Sequence, residues 1–227
     1  MKRKIEKHIP YFDMIEALAR TSDCALCAIE AVSLKRYFDA LLYERVNDTG
    51  VRAELAHARG FCHRHANTLL DCHSSFGTGT LYRDLVGSFI ECLAGLSSAG
   101  LQRVPIKTTR QWNTHDACPA CRIQRESRER NISVFLEGMA QLDMRNVFER
   151  SAGFCVPHFI LVIETAKSPD VRTYITRVQR AKFEELARDL DEFERKNNYR
   201  FSYDPMGKEG DSWIRAVRMI VGQRDLW

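Results

Sequence analysis

No run of roughly 18 apolar residues occurs in this 227-residue chain, so no membrane-spanning helix is expected. The opening residues, MKRKIEKHIPYFDM, are basic but carry neither an apolar core nor a small-residue cleavage site, and so do not read as a secretory signal. A large excess of charge of one sign is lacking as well. The formal net charge is +4 and the isoelectric point about 8.6, too mild for a dedicated nucleic-acid binder. There is no Gly-rich phosphate loop, no H-E-x-x-H, no G-x-S-x-G and no kinase motif set. Alternating strand patterns are nearly missing too. These absences leave a cytoplasmic, all-helical protein with no recognisable hydrolase or nucleotide-binding machinery. The apolar fraction of 44% is enough for a real core.

What the chain does have is cysteine. Eight cysteines in a cytoplasmic protein need an explanation other than disulfides. Six of them fall into a repeat. G-F-C-x-x-H occurs at Gly60, Phe61, Cys62, His65 and again at Gly153, Phe154, Cys155, His158. Each copy follows a C-x-x-C: Cys24 and Cys27 in "CALC", Cys118 and Cys121 in "CPAC". The gaps are 62 − 27 = 35 and 155 − 121 = 34 residues, so the chain is a tandem repeat offset by 94, then 93. His63 faces Val156 in the alignment of the copies and is not part of the pattern. Phe38, Leu41 and Leu42 fall opposite Ile132, Phe135 and Leu136, as shared core positions would.

C-x-x-C brings two thiolates together at a turn, and C-x-x-H puts a thiolate and an imidazole on one side of a helix. Together they form a Cys3His set, a common structural zinc site. The intervening 35 residues have room for a helical hairpin. The simplest expectation is that each repeat closes on itself: Cys24, Cys27, Cys62, His65 around one ion, and Cys118, Cys121, Cys155, His158 around another. The expected cofactors are two zinc ions. Two [4Fe–4S] clusters are the alternative, since thiolates hold both. Two Cys3His zinc sites would bring the charge to +4 − 2 = +2. A dithiol-redox reading of "CPAC" lacks the expected βαβ setting. Four protein ligands leave no open coordination position, so no catalytic residue is assigned.

The organisation reads as an N-terminal helix over 1–20, a first module over 21–98, a linker over 99–114 and a second module with a C-terminal extension over 115–227. Pro10 starts the first helix, with Ile15, Leu18 and Ala19 as its stripe. Helices are expected at 25–46, 51–58, from Thr80, across 122–149 and over 169–196, where Ser168 and Pro169 give a start signal. Phe183, Leu186, Leu190 and Phe193 form the stripe of that long helix. A last helix puts Trp213, Ile214, Val217, Ile220 and Val221 on one side and stops at Gly222. Cys72 and Cys92 read as packed thiols, and His8, His57, His63 and His115 as local hydrogen-bonding groups, His115 with an option on the ligand surroundings. Arg122, Arg125, Arg128 and Arg130 read as a charged solvent face, with a weak alternative as a phosphate-facing patch.

The paired C-x-x-C and G-F-C-x-x-H blocks, the "CALCAIE" stretch with Glu30, and the C-terminal "GDSWIRAVRMIVG" resemble an uncharacterised family of bacterial cytosolic proteins. That resemblance implies bacterial origin and paired cysteine/histidine sites, and brings no activity. Gln124 stands where the first copy has Glu30, which argues against a shared catalytic role for Glu30. The functional expectation is a non-enzymatic interaction or regulatory module with a protein partner. The alternatives are an iron–sulfur redox or accessory protein and a weak nucleic-acid binder; no membrane partner is expected.

Overall fold

The computed structural model describes residues 8–98, 112, 117–201, 203–224 and 226–227. Among them are ten α-helices and no strand: α1 (Ile9–Arg20), α2 (Ala25–Tyr43), α3 (Thr49–His57), α4 (His63–Leu70), α5 (Ser75–Ser98), α6 (Pro119–Gly138), α7 (Leu142–Arg150), α8 (Val156–Thr165), α9 (Pro169–Asn197) and α10 (Ser212–Val221). No helix among the described residues is long and apolar enough to cross a membrane. The chain divides into two compact units, residues 1–31 with 127–227 and residues 32–126. The boundaries fall inside α2 and α6. Each of these helices therefore starts in one unit and ends in the other. The expected linker over 99–114 and His115 lie outside the described residues, apart from Trp112.

In the unit formed by 32–126, the second half of α2 meets the returning G-F-C loop. Phe38 is fully buried and its ring sits edge-on to Phe61 at 5.4 Å. Leu55, Leu69, Leu81 and Leu85 complete this core. α3 starts at Asp48, whose carboxylate accepts from the backbone N–H of Gly50 (2.8 Å) and Val51 (3.0 Å). α5 begins earlier than expected. The "HSSFGTG" stretch is largely helix from Ser75, and Thr80 sits inside it, donating to the Phe76 carbonyl at 2.9 Å. Its serines and glycines look loop-like locally, but burial of Leu81 and Leu85 outweighs weak propensity.

In the other unit, Phe135 is edge-on to Phe154 at 4.8 Å and to Phe148 at 5.1 Å. Phe154, the counterpart of Phe61, thus also docks on a phenylalanine of the preceding long helix, although Phe135 stands opposite Leu41 and not Phe38. The expected helix over 122–149 is two helices. α6 ends at Gly138 and α7 starts at Leu142, and the Arg145 guanidinium bonds the freed Met139 carbonyl. α1 buries Tyr11, Met14 and Leu18, not Ile15 and Ala19. The Tyr11 hydroxyl donates to Asp143 at 2.6 Å, which fixes the face. α9 opens as expected on Ser168 and Pro169. Its deeply buried positions are Ile175, Val178, Gln179 and Asp189; Phe183, Leu186, Leu190 and Phe193 are only half-buried.

Candidate metal centres

The G-F-C loops explain their own sequence. Gly60 and Gly153 both have left-handed backbone, with φ of 96° and 85°. That conformation is open to glycine and strained for other residues. The next residue but one, Cys62 or Cys155, is the N-cap of α4 or α8, with nearly identical dihedrals (φ −61°, ψ 162° and φ −64°, ψ 158°). The histidine three residues on then lies one turn into the helix, on the same side as the thiol. The turn is clamped from outside. In the second repeat Gln179 accepts from the Phe154 N–H (3.0 Å) and donates to the Phe154 carbonyl (2.8 Å). In the first repeat the Tyr82 hydroxyl contacts the Phe61 backbone.

The eight pattern residues gather in two groups, but the partition is crossed. Cys24 and Cys27 of the first repeat meet Cys155 and His158 of the second. Cys118 and Cys121 of the second meet Cys62 and His65 of the first. This corrects the expectation that each repeat closes on itself. Helix length gives the reason. Phe61 packs on Phe38, which lies 38 − 27 = 11 residues beyond Cys27, a helical rise of about 16 Å. Cys62 arrives with Phe61, far short of Cys27. In the second repeat Phe154 packs on Phe135, 135 − 121 = 14 residues beyond Cys121, or about 21 Å. The return helices α3 and α7 have only nine residues each, against 19 in α2 and 20 in α6.

Both groups have the geometry of a four-donor cage. In each, all four ligand atoms lie within 4.8 Å of one another. In the first site, His158 Nδ1 is 3.4 Å from Cys24 Sγ, 3.4 Å from Cys27 Sγ and 3.3 Å from Cys155 Sγ, and Cys27 and Cys155 are 3.7 Å apart. In the second, His65 Nδ1 is 3.3 Å from Cys62, 3.6 Å from Cys118 and 3.3 Å from Cys121, with Cys62 and Cys121 3.7 Å apart. The cysteines are free thiols. Each cage also receives two helix N-termini, whose positive dipole ends favour thiolate.

The crowding of the thiols shows in their electrostatics. Burial and then contact with Cys155 and Cys27 push Cys24 far up, while hydrogen bonds from Cys155 and Cys24 pull Cys27 far down. Burial and then the Cys118 charge push Cys121 up to about 12. Three thiols this close cannot all ionise unless a positive ion stands between them. These eight residues could hold two metal ions.

The surroundings of the two histidines differ. His158 Nε2 is 2.7 Å from Glu30, and Glu30 also accepts two bonds from Arg128, at 2.7 Å and 2.9 Å. A carboxylate on Nε2 fixes the tautomer that leaves Nδ1 as donor to a metal. Burial alone would depress His158, but Cys155, Cys27 and Glu30 outweigh it and hold it up at about 11. Burial would raise Glu30, but His158 and Arg128 hold it below the usual range. Trp227 closes this site, its ring 4.8 Å from the His158 ring and under the Arg128 guanidinium at 4.1 Å. At the other site Gln124 takes the place of Glu30. Its carbonyl accepts from Arg64 at 3.0 Å, and His65 Nε2 has no hydrogen-bond partner among the described residues. Burial and then the Arg64 charge pull His65 down to about 4, against a weak opposing pull from the Gln124 amide.

The eight candidate ligands named from the sequence are the residues of these two groups, and Glu30, Arg128, Gln124 and Trp227 were not assigned to their surroundings. The signal for the first was present in C-x-x-C-x-x-E, which sets Glu30 one turn beyond Cys27. Arg128 read as solvent face, yet its side chain is only 18% exposed. Arg122 is taken by Glu54 at 2.6 Å and Glu126 at 3.4 Å. Cys72 donates to the Thr68 carbonyl at 3.5 Å and, like Cys92, stands outside both cages.

Among known proteins, the model of a family of unknown function, DUF6062, matches residues 1–226. An uncharacterized 23.9 kDa protein encoded in the xynA 3′ region of Caldicellulosiruptor sp. (strain Rt8B.4) is 24% identical over 203 residues, covering 88% of this chain and 95% of that protein. No solved structure matches.

Proposed function

The chain belongs to this family of unknown function, and from that premise we propose that it is a non-enzymatic interaction or regulatory module held together by two structural zinc ions. The observation that carries the zinc reading is the size of the cages. Zn–S bonds of about 2.3 Å and Zn–N bonds of about 2.0–2.1 Å give tetrahedral edges of about 3.8 Å between sulfurs and about 3.6 Å from sulfur to nitrogen. The sulfur pairs at 3.7 Å and the sulfur–nitrogen distances of 3.3–3.6 Å are of that size. A [4Fe–4S] cluster needs each ligand on a different iron at the corner of a cube. That spreads the donors apart, whereas here each set lies within 4.8 Å. Cys24, Cys27, Cys155, His158 and Cys62, His65, Cys118, Cys121 fill all four positions of a tetrahedral ion, so the ion's role is to tie distant chain segments together.

The interaction part of the reading is supported by α10. Trp213, Val217, Ile220 and Val221 recur at helical spacing, as the sequence leads one to expect, but each is more than half exposed. Trp213, Val217 and Val221 border a cleft of about 530 Å³ that also takes in Trp227, Arg218 and Arg224. Its lining among the described residues is largely apolar, which suits a partner segment with apolar side chains. A nucleic-acid role is less well supported, because Arg122 and Arg128 are engaged by Glu54 and Glu30. Cysteine-rich metal cages of this kind suit a reducing cytoplasm.

Elemental analysis of the purified protein with a visible spectrum tests the metal reading. Two zinc ions per chain and no absorption near about 400 nm are expected. Brown protein with about eight irons would replace zinc by two clusters, and metal-free folded protein would end both readings.

A further inference from the structure

The two cages share a feature with different consequences. Each contains one inter-repeat sulfur pair at 3.7 Å: Cys27 with Cys155, and Cys62 with Cys121. Cys27 and Cys155 are both completely buried. Cys62 and Cys121 are both partly exposed. The first cage is roofed by Trp227, and its histidine is anchored by Glu30 and Arg128. In the second, His65 Nε2 has no bonding partner among the described residues.

We infer that Cys62 and Cys121 are an oxidative modification site: a peroxide converts them to a disulfide and expels the metal of the second cage while the first cage keeps its own. This rests on the zinc reading above. Thiol oxidation follows thiolate character and access. Zinc coordination keeps both sulfurs as thiolates, so access decides, and access is what separates the pairs. The chemistry balances without any further reactant. One thiolate attacks an oxygen of hydrogen peroxide, the O–O bond breaks, and hydroxide leaves with a proton as water, giving a sulfenic acid. The neighbouring thiolate attacks that sulfur, the S–O bond breaks, and the second oxygen leaves with another proton as water. The two sulfurs lose two electrons in total, peroxide gains them, and an S–S bond forms. The sulfurs must close from 3.7 Å to a bond of about 2.05 Å. Zinc keeps only Cys118 and His65 and departs as Zn²⁺. The start of α6 is then no longer tied by metal to α4.

The experiment uses the full-length, zinc-loaded chain. Hydrogen peroxide is added in the presence of a chromogenic zinc chelator, and disulfides are mapped by mass spectrometry after thiol alkylation. The expected result is prompt release of one zinc per chain, a Cys62–Cys121 disulfide, retention of the second zinc, and re-uptake after reduction with dithiothreitol. In Cys27→Ser, which disables the buried cage, the one remaining zinc should leave at the wild-type rate. Release of both ions at one rate, retention of both, or a disulfide elsewhere overturns the inference and leaves the zinc reading standing. A protein that contains no zinc before peroxide is added overturns both.

Discussion

The two Cys3His cages are built from the same pair of blocks, C-x-x-C and G-F-C-x-x-H, yet one is sealed and the other is open. Both have three sulfurs and one Nδ1 within 4.8 Å. The difference lies one layer out. A single exchange between the repeats, Glu30 for Gln124, changes what stands behind the histidine. A buried carboxylate can hold His158 by its Nε2 proton and be neutralised in turn by Arg128. An amide has no charge to offer, and Gln124 also accepts from Arg64. Duplicated ligands thus do not imply duplicated properties. Affinity, exchange and reactivity are set by groups that the ligand motif does not contain.

The sharpest way to break this comparison is to delete ligands in pairs. Cys27→Ser with Cys155→Ser removes two donors from one crossed cage and should leave one zinc per chain. Cys27→Ser with Cys62→Ser removes one donor from each and should leave none, with the larger fall in melting temperature. Structural zinc sites contribute on the order of 10–16 kcal/mol of binding free energy that is also folding free energy. If zinc analysis gives the reverse assignment, each repeat closes on itself and the crossed arrangement is wrong.

Exchanging the outer residues should move the sites toward each other. Glu30→Gln is expected to weaken zinc at the sealed cage by about 10–100-fold, and Gln124→Glu to strengthen the open one in the same direction. Competition with a calibrated chelator reads both changes. Equal affinities in all variants would show that Glu30 does not orient His158.

The glycines give a smaller contrast. Gly153→Ala strains a left-handed position, and its Cβ would lie 2.8 Å from both Gln179 Oε1 and Lys182 Cδ. Gly60→Ala strains a similar backbone but meets Leu85 at 3.2 Å. Each should cost about 1–2 kcal/mol from the backbone, with an additional loss at 153, measured by denaturant unfolding of the zinc-loaded protein. A larger loss at 60 would contradict the packing described. Arg122→Ala, which breaks only the exposed pairs with Glu54 and Glu126, should change stability by about 0.5 kcal/mol or less.

Much of the site was legible in the sequence because metal ligation needs particular atoms at short spacings. C-x-x-C and C-x-x-H are local constraints, and their recurrence at a fixed offset singles out Cys24, Cys27, Cys62, His65, Cys118, Cys121, Cys155 and His158. The helix start at Pro169 and the stop at Gly222 are likewise local. The stripe of α10 shows where local reading fails. Trp213, Val217, Ile220 and Val221 have the spacing of a core face, but in the structure it is Met219 and Ser212 that are buried. Periodicity defines a face and says nothing of which way it turns.

The sequence by itself determined the helical class and the recurring C-x-x-C and G-F-C-x-x-H blocks that supply the candidate donors. These follow from residue chemistry and from constraints spanning a few residues. Only the tertiary structure decided which C-x-x-C meets which C-x-x-H. That choice depends on the length of α2 and α6 against the short return through α3 and α7, and on Phe61 and Phe154 docking more than ten residues along those helices. A helix is stiff and rises about 1.5 Å per residue. Once the phenylalanine is seated, its own C-x-x-C is out of reach, and the cysteines and histidine beside it are completed by the other repeat.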